Sequence, residues 1–450
     1  MTRKYAPVRT VLTLAALAIL ATGAALYAGP LNPPAGPVTN TGKALAEVEP
    51  RTAINAINTP GDNDASPSLF KISQPGSYYL TGNITGVAGR HGIEIAASGV
   101  TLDLNGFEIL GDPAGGVFDG VSLTGVNLQN ISVVNGSVRS WGDDGVDLSG
   151  INSRMTRVDR IITTDNTDRG IEVGDVASRI TNCITAGNGG DGVNAGDGTT
   201  IADCLAYDNG GRGFDAEFGV TFVNNVARDN VGDGFNASSG CSFASCVAYS
   251  NTGNGFSASF GCSFSNCTAY LNDLNGFALS SQCSFQNCTA YAHDLNGFVT
   301  GDGCTITNCA ARSNGDNGMS VGDSCTLIGN SLVNNSQNGI VAASGCLILH
   351  NTLKSNGLLA GDGANILVTG SDSRVESNNC SLADRGIDID GTGNLIISNS
   401  CSGNTTNYDI VASNRYGQIV SITAAGSAAV VGNSAVSTLT TTEPHANFAY

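Results

Sequence analysis

Between Gly192 and Gly339 the chain repeats a pattern of alternating inward and outward positions every 21 residues. From Gly276 the pairs are Phe277/Leu279, Cys283/Phe285 and Cys288/Ala290. The next segments give Phe298/Thr300, Cys304/Ile306 and Cys309/Ala311, then Met319/Val321, Cys325/Leu327 and Asn330/Leu332. Residues two apart share one face of a strand. Three such pairs per repeat, separated by turn residues, predict a triangular coil of three short strands. Helical repeats of similar length need apolar residues three and four apart and little Gly, and that pattern is absent. One glycine marks the phase: Gly92, Gly120, Gly145 and Gly170, then every 21 residues from Gly192 to Gly339. It is expected to serve turns that need positive φ. Coils stacked at about 4.8 Å make a parallel β-helix, and about fifteen of them would span roughly 70 Å.

Composition agrees. Only 13% of residues are charged, and 60 of 450 are Gly, which disfavours helix bundles and suits an all-β, turn-rich chain. The net charge of −18 argues against nucleic acid or an anionic membrane as partner. Arg3, Lys4 and Arg9 precede an apolar run from Val11 to Ala28 that ends in small residues. It reads as a signal peptide over 1–28, with an uncleaved membrane anchor as the alternative. Cleavage would leave no membrane segment and a protein that is secreted, periplasmic or on the cell surface. Residues 29–66, rich in Pro, Gly, Asn and Ala, read as a flexible linker. The parallel β-helix is placed at 67–425 and a C-terminal cap or tail at 426–450. Oligomeric state is not legible.

Fourteen cysteines fall into columns. One holds Cys241, Cys262, Cys283, Cys304, Cys325 and Cys346; another holds Cys183 and Cys204, then Cys246, Cys267, Cys288 and Cys309. Cys380 and Cys401 are also 21 apart. Disulfides between adjacent coils, Cys183 with Cys204 and Cys380 with Cys401 among them, stand beside the alternative of reduced thiols as small core residues. Asn225, Asn330 and Asn351 share the second column, and Asn182, Asn224, Asn266, Asn287 and Asn308 directly precede it. These are read as inward, hydrogen-bonded ladders.

The ITNC/FSNC strand, the NGF/DGV turn and strand, and GVTLDLNGFEILG at 99–111 resemble the right-handed parallel β-helix proteins of the pectin-lyase-like superfamily, over about residues 68–420. The fold class expected is therefore an all-β, single-stranded right-handed parallel β-helix, a hand that the general crossover rule also favours. The resemblance is specific for fold and weak for activity. It implies a site on the outer face of one sheet, beside longer turns.

Outward positions near the marker glycine concentrate charge in the early coils. Asp144, Arg169, Asp191, Arg212 and Asp233 alternate in sign, as an ion-pair ladder would. Asp147 and Glu172 are expected to stack as like charges, which at about 5 Å and an effective dielectric of 20 repel by about 3 kcal/mol. Arg169, Ca2+ or a raised pKa would relieve them. Extra residues near 124–130 and 149–155 would wall the face. Trp141, ahead of Asp143, Asp144 and Asp147, is the expected sugar platform, with Asp143, Arg212 and Asp215 as further binding residues. The resemblance implies a catalytic set of Asp144, Asp147, Arg169 and Glu172, and a Ca2+ set of Asp143, Asp147 and Glu172. A polysaccharide lyase or glycoside hydrolase, or a polysaccharide-binding protein, is one reading. A non-catalytic structural or adhesive cell-surface rod is the other.

Overall fold

The computed structural model describes residues 49–174, 176–358, 363–421 and 442–450. The expected signal peptide, the linker up to residue 48 and most of the C-terminal tail lie outside them. The unit from Arg51 to Tyr450 is a stack of coils. Its first sheet has sixteen parallel strands among the described residues, from Ser68–Ile72 through Val146–Leu148, Ile171–Val173 and Val193–Ala195 to Thr406–Ile410. Each pairs with its equivalent one coil on: Val146 with Ile171, Ile171 with Val193. The second and third faces, Arg179–Thr181 and Ile184–Ala186 in one coil, form one sheet. They join because Gln129–Arg139 and Arg154–Thr164 run unbroken around the corner between them. No α-helix occurs among the described residues.

Identical residues one period apart become touching neighbours. Phe256 stacks on Phe277 with centroids 4.8 Å apart and meets Phe264 edge-on at 5.8 Å. Such columns fill the narrow core, and both geometries suit the quadrupole of the ring.

The marker glycines differ from expectation. None has positive φ; the left-handed residues are instead at the corners, such as Asn182, Asp203 and Asn224 (φ 55 to 57°). The marker position is crowded. A Cβ on Gly213 would lie 2.6 Å from the Gly234 carbonyl oxygen and 2.9 Å from Asn230 Nδ2, so glycine is required by close approach of the next coil.

The asparagine ladders are also redistributed. Asn182, Asn224, Asn266, Asn287 and Asn308 are exposed, at left-handed corner positions that Asn tolerates. Asn225, Asn330 and Asn351 are buried as expected. The longest buried ladder escaped the sequence reading: Asn166, Asn188, Asn209, Asn230, Asn251, Asn272, His293, Asn314, Asn335 and Asn356. In it Asn209 Oδ1 accepts from the Asn188 backbone (3.2 Å) and amide (3.0 Å), and Asn209 Nδ2 donates to Asn230 Oδ1 (3.0 Å). Each amide thus meets the demand that buried polar groups be paired.

All fourteen cysteines are free, buried thiols, the second of the two alternatives the columns left open, and Cys183–Cys204 and Cys380–Cys401 are not joined. Cys380 is the register partner of Cys401, and Cys183 N–H donates to Cys204 Sγ at 3.4 Å. In parallel, in-register strands both Cα–Cβ bonds point the same way. The sulfurs then lie side by side, away from the crossed geometry a disulfide needs.

The first coil is closed by residues expected to be linker. Thr52–Ala53 pairs with Gly76–Tyr79, and Lys71 Nζ holds Asp62, Asp64 and the buried Glu94 at 2.5, 3.1 and 2.8 Å. At the other end Asn447–Ala449 adds a strand against Ser400–Ser402, and Asn447 Oδ1 accepts from Asn399 N–H at 2.9 Å.

Candidate functional site

The column before the marker glycine is a second ladder, built from side-chain acceptors. His91 Nδ1 accepts the Asp119 N–H (2.9 Å), Asp119 Oδ1 that of Asp144 (3.1 Å), and Asp144 Oδ1 that of Arg169 (2.7 Å). Asp191 and Asp233 do the same for Arg212 and Asn254, both at 2.6 Å, and Asn254 for Asn275 at 3.1 Å. Aspartate in the early coils therefore fills a role that asparagine fills later. The expected ion-pair ladder is thereby corrected: Arg169 Nη1 stands 4.0 Å from Asp144 but 2.9 Å from Glu172, and Arg212 pairs with Asp215 at 2.8 Å.

Two coils gather more carboxylates than this ladder needs. Asp147 and Glu172 are register partners on the outer face of the first sheet. Asp144, Asp147 and Glu172 each offer an oxygen within 4.8 Å of the other two, and Asp143, Asp144 and Asp168 form a second such group. The expected metal set is therefore divided: Asp143 belongs with Asp168, and Asp147 and Glu172 with Asp144. Asp168 escaped the sequence reading, although it stands before Arg169 as Asp143 stands before Asp144, and its N–H bonds the Asp143 carbonyl at 3.2 Å. Arg212 and Asp215 lie two strands beyond Glu172 in register, through Asn194; their pair satisfies itself and does not join the cluster.

Burial drives the electrostatics. Asp144 is 4% exposed, and desolvation pushes its carboxyl up to about 9, against the Arg169 N–H and with help from Glu172, Asp119 and Asp147. Desolvation also raises Asp147, opposed by Ser149, whose N–H and Oγ both bond Asp147 Oδ1 (2.8 and 2.6 Å). Glu172 is raised by burial and drawn down by Arg169; Asp143 is raised by burial and by Asp119, Asp168 and Asp147. Burial thus favours the protonated form of Asp144, while Arg169 Nη1 lies 2.9 Å from Glu172 and favours its charged form.

Trp141 does not reach this face. It is 2% exposed, Nε1 donates to the Ile109 carbonyl at 3.2 Å, and its ring fills the space over Gly86, Gly92, Gly111 and Gly120. The sugar platform expected of it is corrected to a core role: the first coils lack the stacked phenylalanines of the later ones, and one indole occupies that volume. The turns after the strands Val121–Leu123 and Val146–Leu148 carry exposed Val126 and Ile151.

Among solved structures, the chain is similar to the A-module of a mannuronan C-5 epimerase from Azotobacter vinelandii at 16% identity, covering 76% of this chain and 89% of that one with a TM-score of 0.34. A pectate lyase matches at 19% identity over 54% of this chain and 69% of that one, TM-score 0.35. The receptor-binding domain of the siphovirus 9NA tailspike matches at 10% identity over 75% and 74%, TM-score 0.36. No curated protein sequence matches the chain. The family described as right handed beta helix region matches residues 119–274 and 235–356. Those two stretches overlap and together span more than half of the chain, in the coils described above. The protein therefore belongs to the right-handed β-helix family.

Proposed function

We propose that the protein is exported and binds a polysaccharide across the outer face of the coils that carry Asp147 and Glu172. The observation that carries this reading is the convergence of Asp147 and Glu172, which coil stacking does not require, on the ladder residue Asp144. Carboxylates take sugar hydroxyls. Arg169, held by Glu172 at 2.9 Å, adds a donor. Binding fits this geometry better than turnover. Arg169 is tied to an acid rather than poised to take a proton, and Asp144 is committed to the ladder.

Ca2+ suits the carboxylate spacing. Ligand oxygens within 4.8 Å of one another match an ion bound at about 2.3–2.6 Å to each. Asp144, Asp147 and Glu172 would hold it, and it would supply a Lewis-acidic bridge to a sugar oxygen. Its entry requires that Asp144 lose its proton, so binding strengthens as pH rises.

The test is a polysaccharide array with the full chain, with and without Ca2+, read for binding and for product release. Wild type is expected to bind without release, and the double variant Asp147→Asn/Glu172→Gln to lose binding while keeping its melting temperature. If wild type binds no polysaccharide, the second reading stands: a structural or adhesive rod. That reading draws on the ladder from His91 to Asn338, which explains much of the charged face by coil stacking alone.

A further inference from the structure

The acidic face is not the only charged feature. Around the corner, on the second face, a cleft of about 510 Å³ is lined by Arg157, Arg160, Arg179, Thr181, Asp159 and Asp203, with Asn182 between them. The protein carries a net charge of −18, yet three guanidiniums meet here against two carboxylates. Arg157 and Arg179 are register partners in adjacent coils. Both are exposed, and they stack like charge on like charge about 4.8 Å apart at the backbone.

The counter-charges do not neutralise them. Asp159, with its side chain 2% exposed, bonds Arg157 Nη2 at 2.9 Å and Arg160 Nη2 at 3.2 Å. Its other oxygen accepts from Thr181 Oγ1 (2.8 Å) and Asn182 Nδ2 (2.9 Å). Asp159 is thereby saturated, its carboxyl held below the usual range despite burial, and its effect is to fix two guanidiniums in place. Asp203 accepts from Asn224 Nδ2 at 3.3 Å. Arg179 has no ion pair among the described residues. Arg160 sits at the left-handed corner position (φ 54°) that Asn135, Asn182, Asp203 and Asn224 occupy in neighbouring coils. Backbone preference there favours Asn or Asp, and Arg160 Nε bonds Asn135 Oδ1 at 2.6 Å. A cation stands where the fold asks for a short polar residue.

We propose that this cleft binds an oxyanion, a carboxylate or sulfate, between Arg157, Arg160 and Arg179. Guanidiniums present paired donors that match the two oxygens of such a group. Asp159 supplies the preorganisation, since the side chains it anchors lose less freedom on binding. A long nucleic acid is disfavoured by the field of the whole molecule. The ligand is therefore a compact anionic group, free or carried on a sugar. This site is separate from the Asp147–Glu172 face and does not depend on it.

The experiment is titration calorimetry of the full chain at low ionic strength, with sodium sulfate and with trigalacturonate as probes. Wild type is expected to bind at least one. Arg179→Gln is expected to weaken binding roughly tenfold, the scale of one charge-assisted hydrogen bond, with an unchanged melting temperature because Arg179 is exposed and has no ion pair among the described residues. Arg157→Gln is expected to weaken it similarly, and Asp147→Asn/Glu172→Gln to leave it unchanged. Tighter binding of trigalacturonate assigns a sugar-borne carboxylate; equal binding assigns a free oxyanion. The proposal is overturned if neither probe binds wild type, if Arg179→Gln binds as wild type does, or if the Asp147/Glu172 variant carries the loss.

Discussion

Asp147 lies in register against Glu172, and only Glu172 has a cation: Arg169 Nη1 bonds it at 2.9 Å, and no ion pair reaches Asp147 among the described residues. Two acids on adjacent strands thus share one guanidinium. Removing one charge should relieve the pair. Asp147→Asn, which keeps an oxygen for Ser149, is expected to stabilise the protein by about 0.5–1 kcal/mol, the scale of a half-exposed pair. Urea unfolding at neutral pH and low salt checks this. The same variant is expected to abolish any rise in melting temperature that Ca2+ causes in wild type.

Asp144 makes stability depend on pH. Its carboxyl stands at about 9 in the folded protein against 3.8 for the free side chain. The folded state holds that proton more tightly than the unfolded chain. The contribution is therefore fully present below about pH 4 and is lost as pH rises through about 9. Asp144→Asn keeps the acceptor for the Arg169 N–H, as Asn254 does for Asn275. It is expected to flatten the decline in melting temperature between pH 6 and pH 9, read as about 1–3 kcal/mol at the alkaline end.

His293 acts in the opposite direction. It occupies an asparagine position in the buried ladder, where Nδ1 accepts the Asn272 N–H at 3.2 Å, and burial pulls its pKa from 6.5 to about 4. The neutral ring is needed for acceptance. Stability from this group is present above about pH 6.5 and is lost as pH falls through about 4. His293→Asn would restore the donor that reaches back to a carbonyl, as Asn272 Nδ2 reaches Ala248 O at 3.2 Å. It is expected to raise the melting temperature, and more at pH 4.5 than at pH 7.5.

The glycines divide into two kinds. Gly213→Ala would drive a methyl against the Gly234 carbonyl oxygen at 2.6 Å, and is expected to cost about 1–3 kcal/mol as overpacking. Gly219 has φ +68° and open space around it, so Gly219→Ala is expected to cost about 1–2 kcal/mol through backbone conformation alone. Replacing each by Asn separates the causes: Asn tolerates the left-handed position and rescues Gly219, whereas at Gly213 it adds bulk and worsens the loss. Thermal unfolding of the four variants reads this out.

The thiol columns predict a chemical count. Denaturation without reductant is expected to expose fourteen reactive thiols per chain, since all fourteen are free. A count of twelve or fewer would mean paired coils. Against the folded protein the same reagent is expected to react slowly, because every one of these cysteines is buried.

How far the site could be read in advance follows from what a column contains. The stacking of Asp147 over Glu172 was legible, because register partners are one period apart and the period is visible. Asp168 was less legible, although it repeats Asp143, because it stands one position further from the marker glycine than the ladder column does. Proximity in sequence is a poor guide for Trp141: it is two residues from Asp143, but it directly follows the left-handed corner at Ser140 and its indole is buried in the core. The cleft at Arg157, Arg160 and Arg179 was not legible, because it lies away from the first face that the marker glycine phases. Arg157 and Arg160 are on the long strand Arg154–Thr164 that rounds the corner and Arg179 is on the strand Arg179–Thr181 of the next coil, where no marker sets the phase.

By itself, then, the order of residues determined the period, the three faces per coil and which side chains stack on which, because a parallel in-register stack turns sequence distance into contact. Folding in three dimensions decided the direction each side chain takes at a corner. One left-handed residue there swings its neighbours from core to solvent: Asn182 outward and the adjacent Cys183 inward, Asp159 buried and Arg160 exposed. Spacing along the chain carries no record of that rotation, so the burial of Trp141, the unpaired thiols and the arginine cleft emerge only once the coils are closed.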